Sequence, residues 1–331
     1  MEAELPEQGP GMDFLEYLGP DTSAIVFRLL DGPADLARAS AVSRSWRRFV
    51  IENQFSKIQC LRAYPEVANF VDIEVRSSSG SSVPRNARRS AAAEFDKLER
   101  DHRVYMQLSH GLLSPYNTKD CISHCVGASS TDRYPDEAME NTLDAADRVG
   151  WDGSYWSSRG HRDPALAECL MYRLQTHLCL VDEIRMQPFK AFFRDDEPIY
   201  SAKRIRFQMG CLKSPPWSGT TIYSEDEGQL IADSNYIWTY TSPEFPMLQE
   251  NVLQSFKLPH PVLCIGGVVK IELLGGVVKD AFDGLYYICV SHVQIMGMPL
   301  SGKLAVAPRG TGVVLSYYPT PRKNCLWTKR C

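Results

Sequence analysis

The sequence has no long hydrophobic run. Its 331 residues contain no stretch approaching the ~20 apolar residues that cross a bilayer. The acidic first residues, MEAELPEQGPGMD, also lack the basic and apolar regions of a signal peptide. We therefore expect a chain that stays in the cytosol or the nucleus and has no membrane partner.

An excess of charge of one sign is also missing. The formal net charge of -4 gives no bulk attraction toward nucleic acid or anionic lipid, so we expect no nucleic-acid partner. The sequence contains no phosphate-binding glycine loop, nucleophile elbow or zinc-protease helix. These absences favour a non-catalytic protein that needs no cofactor.

The ten cysteines are scattered along the chain and lack the dense pattern of a small disulfide scaffold. We expect most of them to be reduced and buried. Cys121, His124 and Cys125 lie close in sequence, but no second pair follows at the spacing of a zinc finger. No metal site is therefore predicted.

Residues 12–63 predict a string of short helices. Apolar residues recur at helical spacing in one stripe of Ile25, Val26, Leu29 and Leu30. Asp21 or Thr22 is placed to cap the first helix, and Pro33 to open the next. Three helices this short cannot enclose a core of their own, so the module is expected to need a partner surface or a neighbouring domain.

Two further segments separate this module from the rest of the chain. Residues 76–90, rich in serine, glycine and arginine, predict a flexible and partly disordered stretch within a linker over 64–90. Strong helix formers follow over 91–115. This segment is predicted to be a connecting helix that leads into a second domain.

From residue 116 to residue 331 the hydrophobic period changes to two. Ile205, Phe207 and Met209 alternate with Arg206 and Gln208, which is typical of half-buried strands. The segment lacks the strand and helix alternation of a parallel sheet. The predicted fold class is α+β, with a small N-terminal three-helix module followed by an antiparallel β-sandwich.

The stretch LGPDTSAIVFRLLDGPADLARASAVSRSWRRFV resembles an F-box. That family begins with leucine and proline, continues with an apolar helix and a leucine-bearing helix, and ends with valine and tryptophan four residues apart. Gly19, between the leucine and the proline, departs from the pattern. The resemblance implies that a Skp-type cullin adaptor is bound by Leu18, Pro20, Ile25, Val26, Leu29, Leu30, Leu36, Val42 and Trp46. The alternative is that Val42 and Trp46 are core residues of a helical cap.

The stretch ASSTDRYPDEAMENTLDAADRVGWDGSYWSSRG is similar to the opening of galactose-binding-like, or discoidin-like, jelly-roll sandwiches. The whole chain also resembles a group of plant F-box proteins. Such sandwiches bind ligands through loops at one end. Two loops therefore supply target-binding candidates, namely Trp151, Tyr155 and Arg162 in the first and Trp217 and Tyr223 in the second. Trp156 is expected in the core.

Together the resemblances imply a substrate-recruiting subunit of a cullin-RING (SCF-type) ubiquitin ligase, itself without catalytic residues. The F-box would bind the adaptor and, through it, cullin, while the sandwich would bind a protein target, glycosylated or not. Two alternatives stay open. One is a lectin-like glycan-binding module, and the other is a carbohydrate-active enzyme that uses acidic residues such as Asp196 and Glu225.

Overall fold

The computed structural model describes residues 13–76, 91–146, 148–149, 152–213 and 232–319. Their contacts divide the chain into two compact units. Met1–Pro65 with Val83–Ser114 form the first, which we call the helical unit. Glu66–Ser82 with Pro115–Cys331 form the second, which we call the β unit.

The helical unit is built from short helices and one long helix. They are α1 (Phe14–Arg28), α2 (Pro33–Val42), α3 (Arg44–Glu52), α4 (Phe55–Ala63) and α5 (Ala91–Leu113). Pro33 opens α2 as predicted, and Asp35 lies in its first turn, where a negative charge interacts favourably with the helix dipole.

Helix α1 begins roughly two turns earlier than the sequence pattern indicated. Its N-cap is Asp13, whose carboxylate accepts the Leu15 N–H at 3.0 Å. Asp21 and Thr22 therefore lie inside the helix, and the prediction that one of them caps it is wrong. Gly19 interrupts the helix with φ 73° and ψ 169°, a conformation that favours glycine. The interruption places Pro20 in the first turn of a new helical stretch, where its missing N–H is not needed.

Five aromatic rings form the centre of the helical unit. The Phe27 ring lies 5.3 Å from the rings of Trp46 and Phe49, and 5.4 Å from that of Phe55. Phe14 packs on Trp46 at 5.3 Å between ring centroids. Aromatic pairs at these distances contribute about 0.5–1.5 kcal/mol each beyond the burial of their area. The cluster therefore holds α1, α3 and α4 together.

Helix α5 forms within the predicted range 91–115 and precedes the β unit in the chain, but it packs into the core of the helical unit. The face that α5 buries carries Val104, Tyr105, Leu108 and Leu112. The Tyr64 hydroxyl donates to the Leu112 carbonyl oxygen at 3.2 Å. The physical reason is the one that made the three-helix module incomplete, since short helices alone bury too little apolar surface.

The β unit contains two large sheets, with strands numbered in chain order. The first has the order β10 (Tyr236–Thr241), β9 (Ala202–Leu212), β13 (Val268–Gly276), β7 (Ala167–Leu174) and β3 (Ile122–Ala128), with β11 (Phe245–Pro246) beside β9. The second has the order β12 (Gln254–Ile265), β8 (Leu178–Pro188), β14 (Cys289–Pro299) and β2 (Lys119–Asp120), with β6 (Trp156–Ser157) beside β14. The short strands β4 (Arg148–Val149) and β5 (Asp152–Gly153) pair with each other.

The two large sheets pack face to face. Ile205, Phe207 and Met209 of β9 point into one core with Ile184 and Met186 of β8, and all five are fully buried. The strands within both sheets pair antiparallel. The predicted fold class, helices followed by an antiparallel β-sandwich, is confirmed.

A third sheet occupies part of the expected linker over 64–90. It has the order β1 (Phe70–Val75), β16 (Gly312–Tyr317) and β15 (Leu304–Arg309), and β1 runs parallel to β16. Arg309 forms ion pairs with Asp72, at 2.7 Å, and with Glu74. The linker prediction is therefore wrong for 65–75, because β1 supplies β-branched residues that complete a sheet. Residues 77–90 lie outside the described residues.

The eight cysteines within the described ranges are free, and all but Cys125 are buried. In the same ranges no group of three or more His, Cys, Asp or Glu side chains lies close enough together to hold a metal ion. No helix among the described residues is both long enough and apolar enough to cross a membrane.

Replacing Trp46 tests the aromatic core. Trp46→Ala removes the ring contacts with Phe14 and Phe27 and the indole N–H bond to Asp13 at 2.9 Å. We expect the free energy of unfolding of the helical unit to fall by about 3 kcal/mol. Trp46→Phe keeps much of the ring volume and should cost less than about 1.5 kcal/mol. Calorimetric unfolding of the full chain measures both, and equal stability of Trp46→Ala and wild type would contradict this core.

The stability of the helical unit should also depend on pH through His102. Burial, with the nearby Arg47 charge, lowers the pKa of His102 to about 4, whereas an unfolded chain has a histidine pKa of about 6.5. The unfolded state then binds more protons between these values, so stability falls as the pH drops from 6.5 to 4, by at most about 1.4 kcal/mol per pH unit. The protection factors of α4 and α5 amides, which are exchange rates corrected for the pH dependence of the intrinsic rate, should fall over this range in wild type. His102→Gln should flatten the response, and an equally steep response in that variant would assign it to other groups.

Candidate functional site

An exposed apolar surface lies on the helical unit. Ile25, Val26 and Leu29 of α1 are 60%, 40% and 72% exposed, and Val42 at the end of α2 is 61% exposed. Residues three and four apart share one face of a helix, so the three side chains of α1 form a stripe. We call the side chains of Ile25, Val26 and Leu29 the apolar face. Large apolar side chains grouped on a surface are typical of a protein interaction site.

The other predicted adaptor residues lie around or beneath this face. Pro20 is exposed, whereas Leu18 and Leu30 are half-buried. Leu36 is fully buried in the core, so its assignment as a contact residue is corrected to a supporting one. Trp46 is half-buried within the aromatic cluster. Both Leu36 and Trp46 hold the helix that carries the apolar face.

Polar contacts fix the end of α1 where Leu29 lies. The Arg62 guanidinium donates to the Arg28 carbonyl oxygen at 2.6 Å and pairs with Asp31 at 2.7 Å. The Gln59 side-chain amide donates to the Leu30 carbonyl oxygen at 2.8 Å. These bonds satisfy carbonyl groups that a helix end leaves open. The apolar face is therefore held in place without a partner.

A second apolar surface lies at one end of the sandwich. The strand pairs Ala128 with Leu170, Leu274 with Ala167, and Val290 with Pro188 bring the strand ends of each sheet together. The described residues of 129–166, 189–201, 247–253 and 277–288 connect these strand ends. We call them the loop end.

Exposed apolar residues are concentrated there. Ten large apolar side chains are exposed in the described part of the β unit, and the two outside the loop end are Val71 and Val75. The eight within it are Tyr134, Leu143, Leu166, Phe193, Leu248, Val252, Leu253 and Phe282. Such a concentration distinguishes this end from the single apolar residues scattered over any protein surface.

Asp280 organises the most prominent part of the loop end. Its carboxylate accepts the Tyr200 hydroxyl at 2.7 Å and the backbone N–H groups of Phe282 and Asp283 at 2.8 and 3.2 Å. Arg194 forms an ion pair with it at 3.2 Å. Burial opposes the charge, but these bonds outweigh it and hold the pKa of Asp280 below its usual value. These bonds hold the backbone of the turn that carries Phe282, whose side chain is 89% exposed.

The target-binding residues expected from the sequence differ in their burial. Tyr155 is buried, because its ring stacks on Phe189 at 3.8 Å and its hydroxyl donates to Glu137 at 2.8 Å. That candidate is therefore corrected to a core residue. Arg162 is exposed within the loop end. Trp156 is fully buried and donates to the Ser130 carbonyl oxygen, as expected of a core residue.

The remaining candidates, Trp151, Trp217 and Tyr223, lie outside the described residues. Leu212 ends β9 and Tyr236 begins β10, and both lie at the end of the sandwich opposite the loop end.

Sequence reasoning missed the exposed residues Tyr17, Phe193, Leu248 and Phe282. One signal was available for Phe282, since it is an apolar residue inside the turn sequence DAFDG. Connecting segments such as this turn run over the protein surface. Tyr17, 70% exposed, precedes the interruption at Gly19 and had no such signal.

The chain was compared with protein-family models, curated proteins and solved structures. No family model matches the chain. The F-box protein At4g00755 of Arabidopsis thaliana is 43% identical over 297 residues, which cover 89% of this chain and 78% of that protein.

Solved structures also show similarity, at low sequence identity. The family 32 carbohydrate-binding module of Streptococcus pneumoniae EndoD is 11% identical, with a TM-score of 0.35, and the match covers 55% of this chain and 100% of that one. The family 32 module of C. perfringens NanJ is 12% identical, with a TM-score of 0.33, over 52% of this chain and 98% of that one.

The relative from Arabidopsis matches the chain at an identity and over a length that chance similarity does not reach. The residues from Leu18 to Trp46 that resemble an F-box form α1, α2 and the beginning of α3. The chain belongs to the F-box protein family.

Proposed function

We propose that this protein is the substrate-recruiting subunit of a cullin-RING (SCF-type) ubiquitin ligase. The apolar face binds a Skp-type adaptor and, through it, cullin. The loop end binds a protein target, and the subunit itself carries out no bond chemistry. The observation that carries the proposal is the apolar face, which a chain of the F-box family leaves exposed.

Burial of this face would supply the free energy of adaptor binding. Burying one exposed leucine or isoleucine against a partner contributes about 1.5–3 kcal/mol. Ile25 and Leu29 lie one helical turn apart, so one partner surface can cover both. Because the end of α1 is already fixed by Arg62, binding requires little ordering of this segment.

The loop end is the part of the β unit suited to hold the target. An exposed aromatic side chain such as Phe282 has only two rotatable side-chain bonds to order on binding, and aromatic residues are typical of the anchors that dominate interfaces. Holding a target at the ligase raises the effective concentration of its lysines near the ubiquitin-conjugating enzyme. Recruitment of this kind requires binding surfaces and no active site.

Neither alternative drawn from the sequence gains support from the described residues. Of the aromatic residues proposed from the sequence for a glycan site, Tyr155 is buried and Trp151 lies outside the described residues. A glycosidase needs two carboxyl groups that face each other across a cleft. Asp196 lies exposed in a surface turn, and Glu225 is outside the described residues.

Adaptor binding can be tested at Leu29. Leu29→Asp places a charge in the proposed contact, and we expect retention of the adaptor in a quantitative pull-down to fall at least roughly tenfold, a cost of about 1.4 kcal/mol or more. The matched control is Leu248→Asp, because Leu248 is a comparably exposed leucine of the β unit. Equal retention of the adaptor by both variants would refute the assignment of the apolar face.

Target binding can be tested at Phe282. Phe282→Ser removes the most exposed apolar side chain of the loop end, and we expect it to deplete a set of co-purifying proteins while adaptor recovery stays unchanged. Val71→Ser removes an exposed apolar side chain outside the loop end and serves as the control. Mass spectrometry of proteins recovered from cell extract measures both. An identical set from Phe282→Ser and wild type would count against a target contact at this turn.

A further inference from the structure

A positively charged groove opens on the outer face of the six-stranded sheet. Side chains alternate along β9, so Arg204 and Arg206 point away from the core that contains Ile205 and Phe207. The groove has a volume of about 310 Å³. It is lined by Pro164, Ala165, Lys203, Arg204, Arg206, Glu244, Leu274 and Gly275, which we call the basic groove.

The lining contains three cationic side chains and one carboxylate. Glu244 lies between the two arginines, with 3.1 Å to Arg204 Nη1 and 3.9 Å to Arg206 Nη1. Lys203 has no carboxylate partner among the described residues. One carboxylate is thus shared by two guanidinium groups, and the groove keeps an excess of positive charge.

A network behind the groove holds Arg206 in place. Its Nε lies 2.6 Å from Glu272, a carboxylate that is only 12% exposed. Lys270 lies 3.0 Å from the same carboxylate and 2.7 Å from Asp233. The negative charge of Glu272 is therefore balanced by Arg206 and by Lys270. An arginine fixed in this way loses little freedom when it binds a second anion.

The groove adjoins the loop end. Pro164 and Ala165 belong to both, and the Met247 N–H at the start of 247–253 donates to the Lys203 carbonyl oxygen at 3.0 Å. Exposed Leu166 and Leu248 follow these residues directly. A volume near the lower limit of ligand pockets suits one or two side chains of a peptide.

We propose that the basic groove binds an anionic side chain of a peptide segment in the ligase target, a carboxylate or a phosphate ester, next to an apolar residue held by the loop end. Guanidinium groups offer paired donors that match both kinds of anion, and charge-assisted bonds of this type are among the stronger ones in proteins. The incoming anion replaces Glu244 at Arg204, so Glu244 acts as a built-in competitor. The proposal rests on the proposed function only in taking the bound peptide to be a ligase target.

The test uses full-length protein and an array of degenerate peptides. Each peptide carries leucine beside one fixed position, which holds Glu, phosphoserine, Gln or Ser. We expect the Glu or the phosphoserine peptides to be retained roughly tenfold better than their neutral counterparts, as one charge-assisted hydrogen bond predicts. The two anionic series distinguish carboxylate from phosphate, and added salt should reduce the difference. Equal retention of anionic and neutral peptides would overturn the proposal.

Variants separate the groove from general charge attraction. Arg204→Gln and Lys203→Gln, made separately, should each reduce the preference for anionic peptides, whereas Glu244→Gln should increase it by removing the competitor. Arg100→Gln removes the same charge from the exposed surface of α5 and should change nothing. Loss of preference in Arg100→Gln, or an unchanged preference in Arg204→Gln and Lys203→Gln, would refute a groove-specific contact.

The adaptor pull-down on the same protein preparations keeps this proposal distinct from the ligase role. If the protein retains the adaptor but shows no preference for anionic peptides, the proposal for the basic groove is refuted and the ligase role is not. If the protein prefers anionic peptides but does not bind the adaptor, the basic groove is a peptide site and the proposed ligase role is refuted.

Discussion

The helical unit depends on the direction in which Phe27 points. Its ring is surrounded by those of Phe14, Trp46, Phe49 and Phe55. A helix has a fixed period, so burying Phe27 and Ser23, one turn earlier, turns the opposite side of α1 to solvent. That side carries the apolar residues of the proposed adaptor surface. The packing of one phenylalanine thus determines what the unit offers to a partner.

The same constraint explains why α5 belongs to the helical unit. The aromatic cluster occupies one side of α3 and α4, and both helices need a second surface to cover the rest. Arg47 of α3 pairs with Glu99 of α5 at 2.7 Å, and Tyr64 and Ser56 bond to α5 from the other side. With its core closed by α5, the unit can keep an apolar face exposed without losing its fold. Exposure of this face is then compatible with a stable module.

How much of this the sequence reveals depends on the physical signal. The period of 3.6 identified the stripe from Ile25 to Leu30, and the period of two identified β8 and β9, because both arise from local geometry. The F-box resemblance assigned Leu36 to the adaptor surface, and a loop position assigned Tyr155 to the target surface, although both side chains are buried. Neither signal says which way a single side chain points. Strand β1 was missed, and the packing of helix α5 into the helical unit was not foreseen, for a related reason. Their places are set by residues far away in the chain, Val313 for β1 and Tyr64 for α5.

At the loop end, apolar and charged recognition would contribute differently to target choice. Burial of Phe282 and its apolar neighbours is not directional, so it adds affinity for many sequences. An anionic group of the peptide bound in the basic groove adds less net affinity, because Arg204 already forms an ion pair with Glu244. Any ligand must first displace Glu244 from Arg204. A neutral peptide gains nothing from that exchange, and a basic one is repelled by Lys203, Arg204 and Arg206. The groove would therefore act mainly through rejection, which is how charge most often produces specificity at protein surfaces.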